Sequence, residues 1–178
     1  MYKILAALML MMPMASGLSA ASAGNAVYAM DTARGDTVSV WQAYSWPDVD
    51  IHAAIEIGTW SSTTVLSSPM VCINCRDPKV AINSQEQAIA LWTGTDPLTY
   101  TDRLFASVYD GASWSMPEAI SDSDEYIADS DYKVLLSSTG DANIMWRSLL
   151  PLTGTMAVRV RPSDVVFGTW RTIITISP

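Results

Sequence analysis

Residues 79–121, KVAINSQEQAIALWTGTDPLTYTDRLFASVYDGASWSMPEAIS, decide the fold. They hold four short apolar runs, VAI, AIALW, LFASVY and AIS, parted by clusters of turn-forming residues. This is the pattern of a small four-stranded antiparallel sheet. It occurs once before this stretch and once after it.

Tryptophans bring the three copies into register. Trp41, Trp92 and Trp146 end the second apolar run of each copy, and a second tryptophan follows at Trp60, Trp114 and Trp170. A serine stands seven residues beyond each of these, at Ser67, Ser121 and Ser177, and twelve residues separate Ser67 from Lys79 and Ser121 from Lys133. A period of 51 to 56 residues with so many fixed offsets is an internal repeat. Within a copy, strand a (VYAMD, VAIN, VLLS) leads through a polar turn to strand b (TVSVW, AIALW, ANIMW). Strand c (IHAAIEIG, LFASVYDG, MAVRVRP) and strand d (TVLS, EAIS, ITIS) follow, with a longer insertion, PSDVVFG, ahead of Trp170. Strand b shows little alternation of apolar with polar residues, so both of its faces need cover. A sheet packed between two other sheets supplies that cover. The expectation is an all-β domain over residues 24–178, with three four-stranded antiparallel repeats at about 25–68, 79–122 and 133–178.

A four-stranded unit of this period with a tryptophan on strand b resembles a β-propeller blade, specifically the sialidase-like blades with Asp-box turns of secreted bacterial repeat proteins. Asp110-Gly111-Ala112-Ser113-Trp114 is close to an Asp-box but one residue short between Asp and Trp. Gly58-Thr59-Trp60 and Gly168-Thr169-Trp170 keep only its end. The resemblance implies that Asp110 caps a folding turn away from the ligand face. Closed propellers have about four to eight blades, and three copies leave three arrangements open. These are a partial propeller-like arc, two chains meeting end to end in a ring, or a three-fold closed β-trefoil or β-prism. The two-sided apolar strand b favours stacked sheets over a barrel with one wet face. An open stack exposes an apolar face at each end, so self-association of the first blade with the third blade of a second chain is expected.

Residues 1–23 stand apart from the repeats. Lys3, the apolar stretch from Ile4 to Met14 and the Ala21-Ser22-Ala23 triplet have the form of a cleaved secretory signal, with cleavage after Ala20 as the near alternative. No later segment has the length and apolarity of a membrane-spanning helix, which points to a secreted or periplasmic protein. Without Lys3 the chain keeps nine basic and 18 acidic residues, a net charge near −9. That balance argues against nucleic acid as a partner.

In a propeller, the b to c loops and the links between blades emerge on one face. Here that face carries Trp46-Pro47-Asp48, Asp96-Pro97-Leu98 with Tyr100, and Leu150-Pro151-Leu152. The recurring proline is accounted for by a stiff turn repeated with the unit. Exposed Trp and Tyr also suit stacking on sugar rings or docking a protein. Arg76, in a blade link, and Arg147, beside a strand-b tryptophan, are the two arginines able to join such a site. Trp46, Asp48, Tyr100, Arg76 and Arg147 are therefore the candidate binding residues. Cys72 and Cys75 form the only cysteine pair, and in an exported chain a local disulfide is favoured over a redox or zinc site. The second link holds Asp122, Asp124, Glu125, Asp129 and Asp131. A solvated acidic loop is the ordinary reading. Ca²⁺ held by Asp122, Asp124, Asp129 and Asp131 is the alternative, although no glycine-centred twelve-residue loop is present.

Catalysis finds little support. A sialidase resemblance requires an arginine cluster with a nucleophilic tyrosine and a Glu partner, yet Arg34, Arg76, Arg103, Arg147, Arg159, Arg161 and Arg171 occupy non-equivalent places. His52, the single histidine, sits inside strand c with no nucleophile elbow nearby. The expected function is a secreted, non-catalytic binding module for a glycan or protein without a cofactor. The alternative is a small sialidase-like extracytoplasmic glycoside hydrolase, or a fragment of one.

Overall fold

A computed structural model describes residues 23–45, 48–123, 125–150, 155–164, 169–170 and 174–176. All regular structure among them is β, arranged as three antiparallel sheets not closed into a barrel. The first sheet orders β1 (Ala23–Met30), β2 (Thr37–Ser45), β3 (Asp48–Ile57) and β4 (Thr59–Trp60), with β5 (Thr64–Val65) also paired to β3. The second orders β6 (Ile73–Ile82), β7 (Ala88–Thr95), β8 (Asp102–Tyr109) and β9 (Glu118–Ala119). The third orders β10 (Tyr126–Leu136), β11 (Asp141–Leu150), β12 (Thr155–Asp164) and β13 (Thr169–Trp170), with β14 (Ile174–Ile176) paired to β12. Each is the expected a-b-c-d meander, with strand d reduced to short pieces along strand c.

The sheets stack face to face. Strand β6 packs across β1, β2 and β3, and β10 packs across β6, β7 and β8. Strand β7 shows why both its faces are apolar. Ala88, Ala90 and Trp92 enter a core shared with Val38, Val40, Ile51 and Ala53 of the first sheet. Ile89 and Leu91 enter a second core with Ile144 and Trp146 of the third. The small residues at 88 and 90 admit the neighbouring sheet while Trp92, fully buried, fills the space beyond them.

Matched hydrogen bonds repeat with the sheets. Ser61 and Ser115, each directly after the second tryptophan, accept the Ile55 and Val108 N–H groups at 3.0 Å. Ser67 and Ser121 accept those of Ile51 and Leu104, also at 3.0 Å. These hydroxyls satisfy strand-c donors that the broken strand d leaves without a backbone partner. Their counterparts in the third copy, Arg171 and Ser177, lie outside the described residues. The a to b turns are alike too: Asp31, Asn83 and Ser137 each accept a backbone N–H two residues ahead. Left-handed backbone follows in the same turns at Gly35, Glu86 and Gly140. The turns are fastened in series, Arg34 to Glu86 by an ion pair and Asn83 to the Ser137 carbonyl at 2.9 Å.

The strands extend further than the apolar runs. Strand a of the second and third sheets begins at Ile73 and Tyr126, inside the stretches read as links, because bulges between Ile73 and Lys79 and between Ile127 and Tyr132 carry the pairing through polar residues. Strand b likewise runs past its tryptophan to Ser45, Thr95 and Leu150.

Candidate functional site

At the end of the second sheet where β7 passes into β8, Asp96 organises the connecting loop. Its carboxylate accepts the Leu98 N–H at 2.8 Å and binds the Arg103 guanidinium at 3.1 Å. Burial pushes the Asp96 carboxyl up, but the Leu98 N–H, Arg103 and the Thr99 N–H outweigh it and leave its pKa below the usual value. Arg103 also donates to the Ser121 carbonyl, and Thr101 Oγ1 donates to the Ser123 carbonyl at 3.3 Å. The loop is thereby fixed to the link that enters the third sheet. On it Leu98 is 87% exposed and Tyr100 is 78% exposed, the tyrosine held in left-handed backbone at φ 55°.

A polar row lies beside this loop. Arg76, on β6, binds Asp102, and the other Asp102 oxygen accepts the Thr95 hydroxyl at 2.8 Å. Burial raises the Asp102 pKa, and the Arg76 and Thr95 bonds lower it further than burial raises it. Behind the row the Cys72–Cys75 disulfide packs on β7 at Gly94. A Cβ on Gly94 would collide with Cys72 Sγ and come within 3.2 Å of Cys75 Cα, so glycine is what lets the bridge approach.

The candidate residues divide. Tyr100 and Arg76 share this end of the second sheet. Asp48 is half-buried at the start of β3, opposite Ser45, and Trp46 lies outside the described residues. Arg147 stands on the outward face of the third sheet, ion-paired with Asp131 at 3.2 Å. The side chain of Asp124 and that of Asp129 are outside the described residues, and among those described no group of three or more His, Cys, Asp or Glu is placed to hold a metal ion. Glu125 is buried and accepts the Trp146 indole N–H at 3.2 Å and the Asp122 N–H at 2.9 Å.

Several roles are local to the fold. Asp110 Oδ1 accepts the N–H groups of Ser113 and Ala112 at 2.8 and 2.9 Å, and these bonds lower its pKa. That is a turn cap. His52 stands against Trp41 with ring centroids 5.9 Å apart, and burial lowers its pKa despite nearby Asp50. The part Asp96 and Arg103 play in fixing Tyr100 was not read from the sequence. An Asp before Pro at a loop start, with a basic residue seven positions on, is the signal that carried it.

No known family model matches the chain, and no curated protein matches it. Among solved structures it is similar to the crystal structure of polysaccharide lyase Uly1, with a TM-score of 0.54 and 11% identity. The match covers 86% of this chain and 40% of that one. At such identity the likeness is one of fold. Among the described residues no helix is long and apolar enough to cross a membrane.

Proposed function

We propose that the chain is a secreted, non-catalytic module that binds glycan at the β7–β8 end of the second sheet. The observation that carries the reading is Tyr100, an exposed aromatic on a loop pinned by Asp96, Arg103 and Thr101, beside the Arg76–Asp102–Thr95 row. A fixed aromatic face stacks on the apolar face of a sugar ring with little ordering cost, and the neighbouring polar groups suit its hydroxyls. Trp46, in the corresponding connection of the first sheet, is a second stacking residue in this proposal. The shared fold with a polysaccharide lyase accords with a carbohydrate-directed role. With 18 acidic residues against ten basic ones, the surface repels polyanions, so the ligand is a neutral glycan.

Affinity electrophoresis against soluble neutral polysaccharides, with an acidic polysaccharide beside them, tests this. Retardation by a neutral polymer, weakened roughly tenfold or more by Tyr100→Ala at unchanged circular dichroism, is expected, since about 1.4 kcal/mol corresponds to tenfold. No retardation by any neutral polymer, or retardation indifferent to Tyr100→Ala, overturns it. Release of unsaturated or reducing sugar ends by the purified chain would instead establish catalysis.

A further inference from the structure

The two joints between sheets are built the same way. Each sheet offers a leading face to the next one and a trailing face to the one before. The leading face of the first sheet carries Val38, Val40, Ile51 and Leu66, and that of the second carries Ile89, Leu91, Leu104 and Ile120, all buried. The trailing face that each meets is made of small or aliphatic residues and one tryptophan: Ala88, Ala90 and Trp92, then Ala142, Ile144 and Trp146.

Registers extend both faces to the ends of the stack. Directly opposed residues of antiparallel strands share a face. Thr37, Ser39 and Trp41 hold the positions of Ala88, Ala90 and Trp92, so the trailing face of the first sheet points away from the second. Tyr28, opposite Ser39, is 61% exposed on that face, and Met30, Trp60 and Val65 are exposed there as well. At the other end Met145, Val158 and Ile176 hold the positions of Leu91, Leu104 and Ile120. Val158 and Ile176 stand exposed on the leading face of the third sheet, as does Leu135. The first sheet's open face carries Asp50 and Glu56 with no Lys or Arg among its described residues. The third sheet's carries Lys133 and Arg147 together with Asp141 and with Asp131, the ion-pair partner of Arg147.

We infer that the open leading face of the third sheet docks on the open trailing face of the first sheet in a second copy of this chain, forming a third joint of the kind already present twice inside the molecule. The contact is heterologous: two copies each using both faces close a ring of six sheets about a two-fold axis. It joins aliphatic side chains to a tryptophan-bearing face, as the two internal joints do. It rests on sheet faces away from the Tyr100 loop, so it stands or falls apart from the glycan reading.

The test is sedimentation of the full chain and of two variants, Ile176→Asp on the leading face and Tyr28→Asp on the trailing face, each checked for native circular dichroism. The wild type should assemble at micromolar concentration. Each variant alone should be monomeric or, at most, weakly associated by tenfold or more. Mixing them should restore a one-to-one pair, because each retains the face the other lacks. A strictly monomeric wild type overturns the inference and leaves the faces to some other occupant, such as further sheets or a different protein. Assembly lost in only one of the two variants means a like-with-like contact and overturns it too.

Discussion

Single side chains carry opposite duties at equivalent positions. Trp92 and Trp146 align in the repeat and both are fully buried, but the Trp146 indole N–H donates to Glu125 while that of Trp92 has no hydrogen-bond partner. Trp146→Phe should therefore cost more than Trp92→Phe by about 1 kcal/mol in urea unfolding, the worth of one buried hydrogen bond. Equal costs would mean that the Glu125 contact is energetically silent. Gly94→Ala should destabilise by about 1–3 kcal/mol through overpacking against the disulfide. A double-mutant cycle with Cys72→Ala and Cys75→Ala should recover most of that loss. Asp96, Asp102 and Asp110 all have pKa values lowered in the folded protein. A carboxyl lowered on folding contributes stability that is fully present above its unfolded value, near 3.8, and is lost as pH falls through the folded one. Stability should hold from neutrality down to about pH 4 as far as these groups decide it, and Asp110→Asn should flatten the acid limb below that. An unchanged limb would remove the turn cap from the account.

Along the elements, hydroxyls stand in for a missing strand. Ser67→Ala and Ser121→Ala each strand a buried N–H, of Ile51 or Leu104, and should cost about 1–3 kcal/mol apiece. Similar costs at the two sites, read by thermal unfolding, would confirm that the copies are energetically alike. The sequence announced these serines by their constant offset from tryptophan, and the sheets themselves were legible from AIALW and its relatives. What stayed hidden has a physical cause. Bulges break the two-residue alternation, so Asn74, Asp77 and the acidic residues ahead of Tyr132 read as loop although β6 and β10 run through them. Of the candidate site, the exposure of Tyr100 was legible because an aromatic beside Asp-Pro in a turn has no core to enter. The bracing by Arg103 was not, since the Ser121 carbonyl that it also binds comes from the link to the next sheet, 18 residues on.

Across the whole molecule, position in the stack decides what a residue is worth. Leu91 and Met145 occupy the same place on strand b, yet Leu91 is sealed between two sheets and Met145 lies half-buried on an end face. Leu91→Ala should cost about 2–5 kcal/mol as a cavity mutation, and Met145→Ala well under half of that in a monomeric variant. Comparable losses would contradict stacking as the source of stability. The fastenings between the a to b turns add a further consequence. Arg34 reaches Glu86, and Asn83 reaches Ser137, so every tie spans one period and no more. Excision of a whole period, such as Lys79 through Tyr132, would bring together surfaces of matching kind and leave a shorter modular protein. A cut of an odd number of residues inside a strand would instead put side chains meant for one side of a sheet on the opposite side, so the whole duplicated unit is the length of chain that this architecture can lose with every interior face still matched.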